Sequence, residues 1–140
     1  MAQPSERYDK GLAARREVVG EQYVEKALAS ADDFTSALQD YVTEFCWGTV
    51  WTRPGLDYRT RSLVNIAMLA SRGQSQEVQT HTRGALRNGC TVEEIQEVLL
   101  QVAVYAGTPA AVEGFRAAHP AVKDWLEQSS DPAAQEGGDR

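Results

Sequence analysis

Glu77 and His81 are the first residues of this sequence whose types and spacing point to proton chemistry. They lie four residues apart, so on a helix their side chains share one face, one turn apart. Histidine titrates near neutral pH, and a neighbouring carboxylate favours the imidazolium and fixes the tautomer. The alternative for the same two residues is a structural histidine within a helical bundle, preceded by an exposed acid at a helix start.

Arginines supply the second kind of candidate, because a planar guanidinium suits two-pronged recognition of a carboxylate. Arg53 follows an aromatic segment that contains Trp47 and Trp51, and Arg61 follows shortly after. The tryptophans are either walls of a ligand pocket or packing residues, and the arginines are either ligand-binding or solvated charges. Asn65 lies in a strongly apolar stretch, where its side chain is expected to have a hydrogen-bond partner.

Composition and the absence of familiar motifs exclude several classes of protein. The chain has 140 residues and a formal charge of −6, which argues against nucleic-acid binding. Cys46 and Cys90 form no CxxC pair, no zinc-binding or phosphate-binding motif is present, and we expect neither a metal nor a cofactor. The N-terminal residues lack an apolar run and no segment reaches the ~20 apolar residues of a membrane span, so we expect a cytoplasmic protein.

Helical periodicity and frequent helix-ending residues predict an all-α chain of six or seven helices, with no strand alternation. The candidate caps are Asp33, Asp57, Ser75, Thr91 with Glu94, and Thr108 before Pro109. Residues 47–55 are expected to interrupt the helix that starts after Asp33. We predict one domain over residues 1–127 and a disordered polar tail over 128–140.

Several of these helices carry more apolar surface than a single chain of this length readily covers. The sequence therefore predicts a homo-oligomer. The candidates for surface buried against another subunit are Trp47, Trp51, Val102 and Val104.

Taken together, these residues resemble the 4-carboxymuconolactone decarboxylase family, over about Tyr8 to Ala118. The resemblance lies in residues 15–20, 46–56, 59–65, 77–81, 83–85, 88–89, 93–95 and 102–110. It implies the all-α fold of AhpD-like proteins, assembled as a trimer or hexamer. The peroxidase branch of that fold has a CxxC motif before the histidine, but here Gln74 and Glu77 take the places of its cysteines. This departure argues against peroxidase activity.

The resemblance further implies cofactor-independent decarboxylation of 4-carboxymuconolactone to the β-ketoadipate enol-lactone, a step of protocatechuate breakdown. The substrate is a lactone with two carboxylates, and the lactone carbonyl accepts the electrons that carbon dioxide leaves behind. We expect His81 to deliver the proton or stabilise the dienolate oxygen, Glu77 to orient His81, and Arg53 or Arg61 to hold the retained carboxylate. The alternatives are a related decarboxylase, isomerase or cyclase of specialised metabolism, an AhpD-like peroxidase, and a non-catalytic oligomeric binding protein.

Overall fold

A computed structural model describes residues 4–131, and every regular element in that range is a helix. It contains seven α-helices and one π-helix, which confirms the all-α prediction. The helices are α1 (Glu6–Val19), α2 (Glu21–Ala29), α3 (Ser36–Tyr41), the π-helix (Val42–Trp51), α4 (Tyr58–Ser71), α5 (Ser75–Arg87), α6 (Val92–Tyr105) and α7 (Thr108–Ser129). None of the described helices is long and apolar enough to cross a membrane.

The contacts divide the chain into two compact units, Met1–Arg61 and Ser62–Arg140. No finding tests the predicted single domain, which stays a prediction. In the first unit, α1 packs against the π-helix over a core that includes Val18, Val24, Trp47 and Trp51.

In the first unit, the backbones of α1 and the π-helix are in contact at Gly11 and Gly48. A Cβ atom placed on Gly11 would lie only 2.0 Å from the carbonyl oxygen of Thr43, so a side chain at Gly11 would push α1 off the π-helix. Contact at this distance is possible only because both residues are glycines.

The second unit buries one face of each of its helices in a shared core, whose largest fully buried side chains are Ile66, Leu86, Ile95 and Leu99. Both α5 and α6 pack against α7. The predicted capping box starts α6, since the Thr91 hydroxyl accepts from the Glu94 amide and the Glu94 carboxylate accepts from the Thr91 amide.

The predicted cap at Asp57 is also present, because its carboxylate accepts a hydrogen bond from the Thr60 amide at the start of α4.

The helix predicted after Asp33 is wrong in its start and in its end. The carboxylate of Asp32, not Asp33, accepts from the amides of Phe34 and Thr35, so the chain turns there and α3 begins only at Ser36. The predicted interruption at residue 47 is also absent, because the π-helix continues to Trp51. Its i→i+5 hydrogen bonds leave no signature in a 3.6-residue periodicity.

Two further predicted caps are wrong. Ser75 and Thr108 are the first residues of α5 and α7 rather than caps, and neither helix has a side-chain cap. The position before Thr108 is occupied by Gly107, whose φ of 104° is a conformation that favours glycine. The predicted disordered tail is wrong at its first residues, because α7 runs to Ser129, and residues 132–140 lie outside the described range.

Three of the four residues assigned to a subunit interface are instead buried within the chain itself. Trp47, Trp51 and Val102 are each 4–5 % exposed, because the helices of their own units cover them. Only Val104 is strongly exposed, at 75 %, next to Tyr105 at 84 %.

Candidate active site

His81 lies in the middle of α5, on the border between its buried and exposed faces. Val78, Thr82 and Ala85 form the buried face, and the Thr82 hydroxyl donates to the Val78 carbonyl 2.7 Å away. The imidazole is half-buried, and this burial lowers the pKa of His81 below its ordinary value of 6.5. Around neutral pH the side chain is therefore a neutral imidazole, which can donate one hydrogen bond and accept another.

Glu77 lies in the first turn of α5, one turn before His81, and is exposed. From the sequence alone, its carboxylate is expected to favour the imidazolium. In the structure the pKa of His81 moves the other way, because desolvation of the ring outweighs any attraction from that carboxylate. The location of Glu77 suits an anion, since the amides at a helix N-terminus carry partial positive charge.

Asn65 also belongs to the second unit and lies half-buried on α4. Its side chain makes no hydrogen bond to any other residue between 4 and 131, so the partner expected from the sequence is missing from that range. A nearby contact is better defined, because the Asn88 amide donates to the Ser62 hydroxyl at 2.9 Å and ties the end of α5 to α4. The second unit thus contains Asn65, Glu77 and His81.

The first unit contains the aromatic candidates. On the π-helix, the rings of Trp47 and Trp51 stack against each other with their centroids 4.5 Å apart. The ring of Tyr58 contacts Trp51 edge-on, with the centroids 5.9 Å apart. Burial, with a smaller contribution from the Glu17 charge, raises the pKa of Tyr58. Both indole rings lie in the core of the first unit, which corresponds to the packing alternative stated for them.

The two candidate arginines have different surroundings. Arg53 is exposed in the turn after the π-helix. The guanidinium of Arg61 is half-buried and closes that turn, donating to the carbonyls of Leu56 at 3.2 Å and Arg53 at 3.1 Å. These two bonds leave Arg61 fewer donors for a carboxylate than Arg53 has.

Arg15 was missed as a candidate, although it is the most deeply buried arginine that the structure describes, at 6 % exposure. Its guanidinium donates to the Thr43 hydroxyl at 3.0 Å and to the Gln39 side-chain oxygen at 2.9 Å. Both partners are neutral, and no carboxylate pairs with Arg15 within residues 4–131; burial lowers its pKa. The available signal was its position one turn after Gly11, on the face of α1 that also carries Val18.

Cys46, on the π-helix, is a poor nucleophile. The residue is exposed as a whole, yet burial around its sulfur raises the pKa of the thiol and outweighs the opposing effect of the Arg15 charge. Since the thiolate is the reactive form, this environment disfavours nucleophilic reaction at Cys46. In the described part of the chain, no cluster of three or more histidine, cysteine or acidic side chains is arranged to hold a metal ion.

Comparison with known proteins identifies the family. The model of the carboxymuconolactone decarboxylase family matches residues 36–120, which include the π-helix and all of α4, α5 and α6. Nitrosuccinic acid decarboxylase of Metarhizium robertsii is 41 % identical over 121 residues, covering 86 % of this chain and 85 % of its own. The 4-carboxymuconolactone decarboxylase of Acinetobacter baylyi is also 41 % identical, over 119 residues, covering 85 % of this chain and 89 % of its own. The chain therefore belongs to the carboxymuconolactone decarboxylase family.

Proposed function

We propose that this protein is a decarboxylase acting on 4-carboxymuconolactone, and that neutral His81 stabilises the charge that forms on the lactone oxygen. The observation that carries the assignment of His81 is its half-buried imidazole, whose pKa burial lowers. In the reaction the bond to the departing carboxylate breaks and carbon dioxide leaves. The electron pair passes through the ring double bond to the carbonyl oxygen, and a ring carbon then takes up a proton.

The lowered pKa of His81 favours stabilisation of the dienolate oxygen over delivery of the proton, the two roles expected for this residue from the sequence. A general acid must be protonated before it reacts, but at neutral pH the imidazole of His81 has lost that proton. A neutral imidazole still donates a hydrogen bond, which strengthens as negative charge grows on the acceptor. We therefore assign the role of oxyanion donor to His81, and the orienting role of Glu77 stays a prediction.

Replacing His81 with glutamine tests this role, because the amide N–H lies on a flexible stem and does not take the position and direction of the imidazole N–H. Loss of one oxyanion donor lowers kcat by about 10²–10³-fold. In the unaltered protein kcat should fall as the pH drops below 6.5 and His81 gains a proton, and it should be flat above that range. Unchanged carbon dioxide release by a folded His81→Gln variant, or activity that falls as the pH rises through this region, would refute the assignment.

The binding of the retained carboxylate by Arg53 or Arg61 stays a prediction. Arg53 is the better candidate of the two, because Arg61 already donates to two carbonyls. An Arg53→Gln variant should raise KM, with little effect on the stability of this exposed turn. An Arg61→Gln variant should also lower the melting temperature, since it opens the turn.

A second candidate substrate is nitrosuccinic acid, favoured by the Metarhizium relative of equal identity. Loss of the carboxylate beside a nitro-bearing carbon leaves a nitronate, whose charge rests on oxygen as it does in a dienolate. The same neutral donor serves either anion. Comparing kcat/KM for the two acids in one preparation decides between them.

We also propose that the protein is a homo-oligomer. Val104 and Tyr105, at the end of α6, are 75 % and 84 % exposed, which is unusual for large apolar side chains placed next to each other. A Val104→Glu, Tyr105→Glu double variant should lower the mass measured by light scattering.

A further inference from the structure

A cleft of about 380 Å³ lies between α6 and α7 in the second unit, within the size range of small-molecule sites. Its floor is apolar and includes the buried side chains of Ile95, Leu99 and Ala118. None of the residues assigned to the proposed reaction is among those that line it. The described lining residues are Val92, Ile95, Gln96, Leu99, Phe115, Arg116, Ala118, His119 and Val122.

The polar residues that line this cleft are all hydrogen-bond donors. Arg116 and His119 lie one turn apart on α7, and Gln96 lies on α6. All three can donate hydrogen bonds, and none of the described residues that line the cleft is acidic. In a chain with a formal charge of −6, an apolar cleft with a cation and no anion favours a negatively charged ligand that has an apolar body.

Arg116 is at present paired with Glu113, three residues earlier on α7. Both side chains are more than half exposed, so this ion pair contributes little to stability and yields easily to a competing carboxylate. The nearby Pro120 has no amide hydrogen and cannot bind the carbonyl of Arg116, so this turn of α7 lacks one of its usual hydrogen bonds.

We propose that this cleft is a binding site for an apolar monocarboxylate, separate from the residues assigned to decarboxylation. The apolar body lies on the floor formed by Ile95 and Leu99, beside the ring of Phe115. The carboxylate takes the place of Glu113 on the guanidinium of Arg116 and accepts a second hydrogen bond from His119.

The test uses 1-naphthoate as probe and 1-naphthamide as its uncharged counterpart, titrated calorimetrically into the full-length protein at low salt. We expect the acid to bind at least about tenfold more tightly than the amide, because only the acid makes a charge-assisted bond to Arg116. Arg116→Met, which keeps the apolar stem of the side chain, should weaken naphthoate binding by about tenfold or more. Glu113→Gln should strengthen it by about two- to fivefold, by freeing the guanidinium.

Arg72→Met is the matched control, since it removes an exposed arginine that does not line the cleft, and it should leave binding unchanged. Equal affinity for acid and amide, or equal effects of Arg116→Met and Arg72→Met, would overturn the proposal. So would the absence of binding at millimolar probe. Probe binding that declines as the protein concentration rises would show that a second copy of the chain occupies the cleft, and would also overturn it.

Discussion

A Gly11→Ala substitution should destabilise the protein strongly, because it inserts one methyl group between two backbones. The added Cβ would lie 2.0 Å from the Thr43 carbonyl oxygen, 2.7 Å from the Gly48 nitrogen and 2.9 Å from the Gly48 Cα. Ordinary contact begins at 3.4 Å, so α1 and the π-helix must separate by roughly 1.4 Å. All three neighbours are backbone atoms, which cannot rotate away as a side chain can.

The magnitude follows from two opposing effects. Alanine in place of glycine inside a helix stabilises by about 1 kcal/mol. Overpacking a core costs about 1–3 kcal/mol even where side chains can adjust, and here the backbone itself must move. The cost therefore lies at or above the upper end of that range, about 3 kcal/mol, which leaves a net loss of at least about 2 kcal/mol in the free energy of unfolding.

Two further glycines provide graded controls. Gly55 has no atom within 4 Å of an added Cβ, so Gly55→Ala should change the stability by less than about 1 kcal/mol. Gly114→Ala should be intermediate, because its nearest neighbour, at 2.9 Å, is the mobile end of the Leu99 side chain. Urea denaturation followed by circular dichroism gives the three values. A Gly11→Ala protein as stable as Gly55→Ala would refute the close contact between α1 and the π-helix.

Three other predictions concern the side chains of Thr43, His81 and Cys46. Thr43→Val removes a hydrogen-bond acceptor from the buried Arg15 guanidinium and should lower the free energy of unfolding by about 1.5–3 kcal/mol in chemical denaturation. Thr49→Val, exposed on the same π-helix, should lower it by less than about 0.5 kcal/mol, and equal losses in the two variants would contradict the prediction. Because burial lowers the pKa of His81 in the folded protein, this side chain takes up a proton at a higher pH in the unfolded chain, so stability should decrease as the pH falls below 6.5. A His81→Gln variant with the same pH dependence of stability would show that another group is responsible. Cys46→Ser should keep full decarboxylase activity, since the raised pKa leaves the thiol protonated; lost turnover in a folded variant would restore a catalytic role for Cys46.

What the sequence predicts well are features set by neighbouring residues. The capping box at Thr91 and Glu94 involves residues three positions apart, and the glycine after α1 ends the helix through its own backbone. The packing of α1 against the π-helix instead brings Arg15 to Thr43, 28 positions later, and Gly11 to Gly48, 37 positions later. No local pattern encodes such contacts, so the sequence predicts a break at residue 47, where the π-helix continues.

Dependence on contacts between distant residues also explains why two predictions were wrong, the subunit interface at Trp47 and Trp51 and the charged state of His81. An apolar side chain is recognisable in the sequence, but whether its own chain or another subunit covers it depends on packing, and α1 covers Trp47 and Trp51. Proximity to Glu77 could be read from the sequence and suggested an imidazolium. The depth of burial could not be read, and it reverses the direction of the pKa shift.

The neutral state of His81 also suits the reaction better than the predicted charge would. Decarboxylation is faster when the departing carboxylate is poorly stabilised and the developing oxyanion is well stabilised. A permanent cation beside both groups would stabilise the reactant as much as the transition state, and so would improve binding without improving turnover. A neutral imidazole interacts weakly with the ground-state carbonyl and more strongly with the oxygen as it becomes an anion. Under the proposed assignment, burial that removes the charge from His81 directs its hydrogen bond to the transition state, for a lactone and a nitro acid alike.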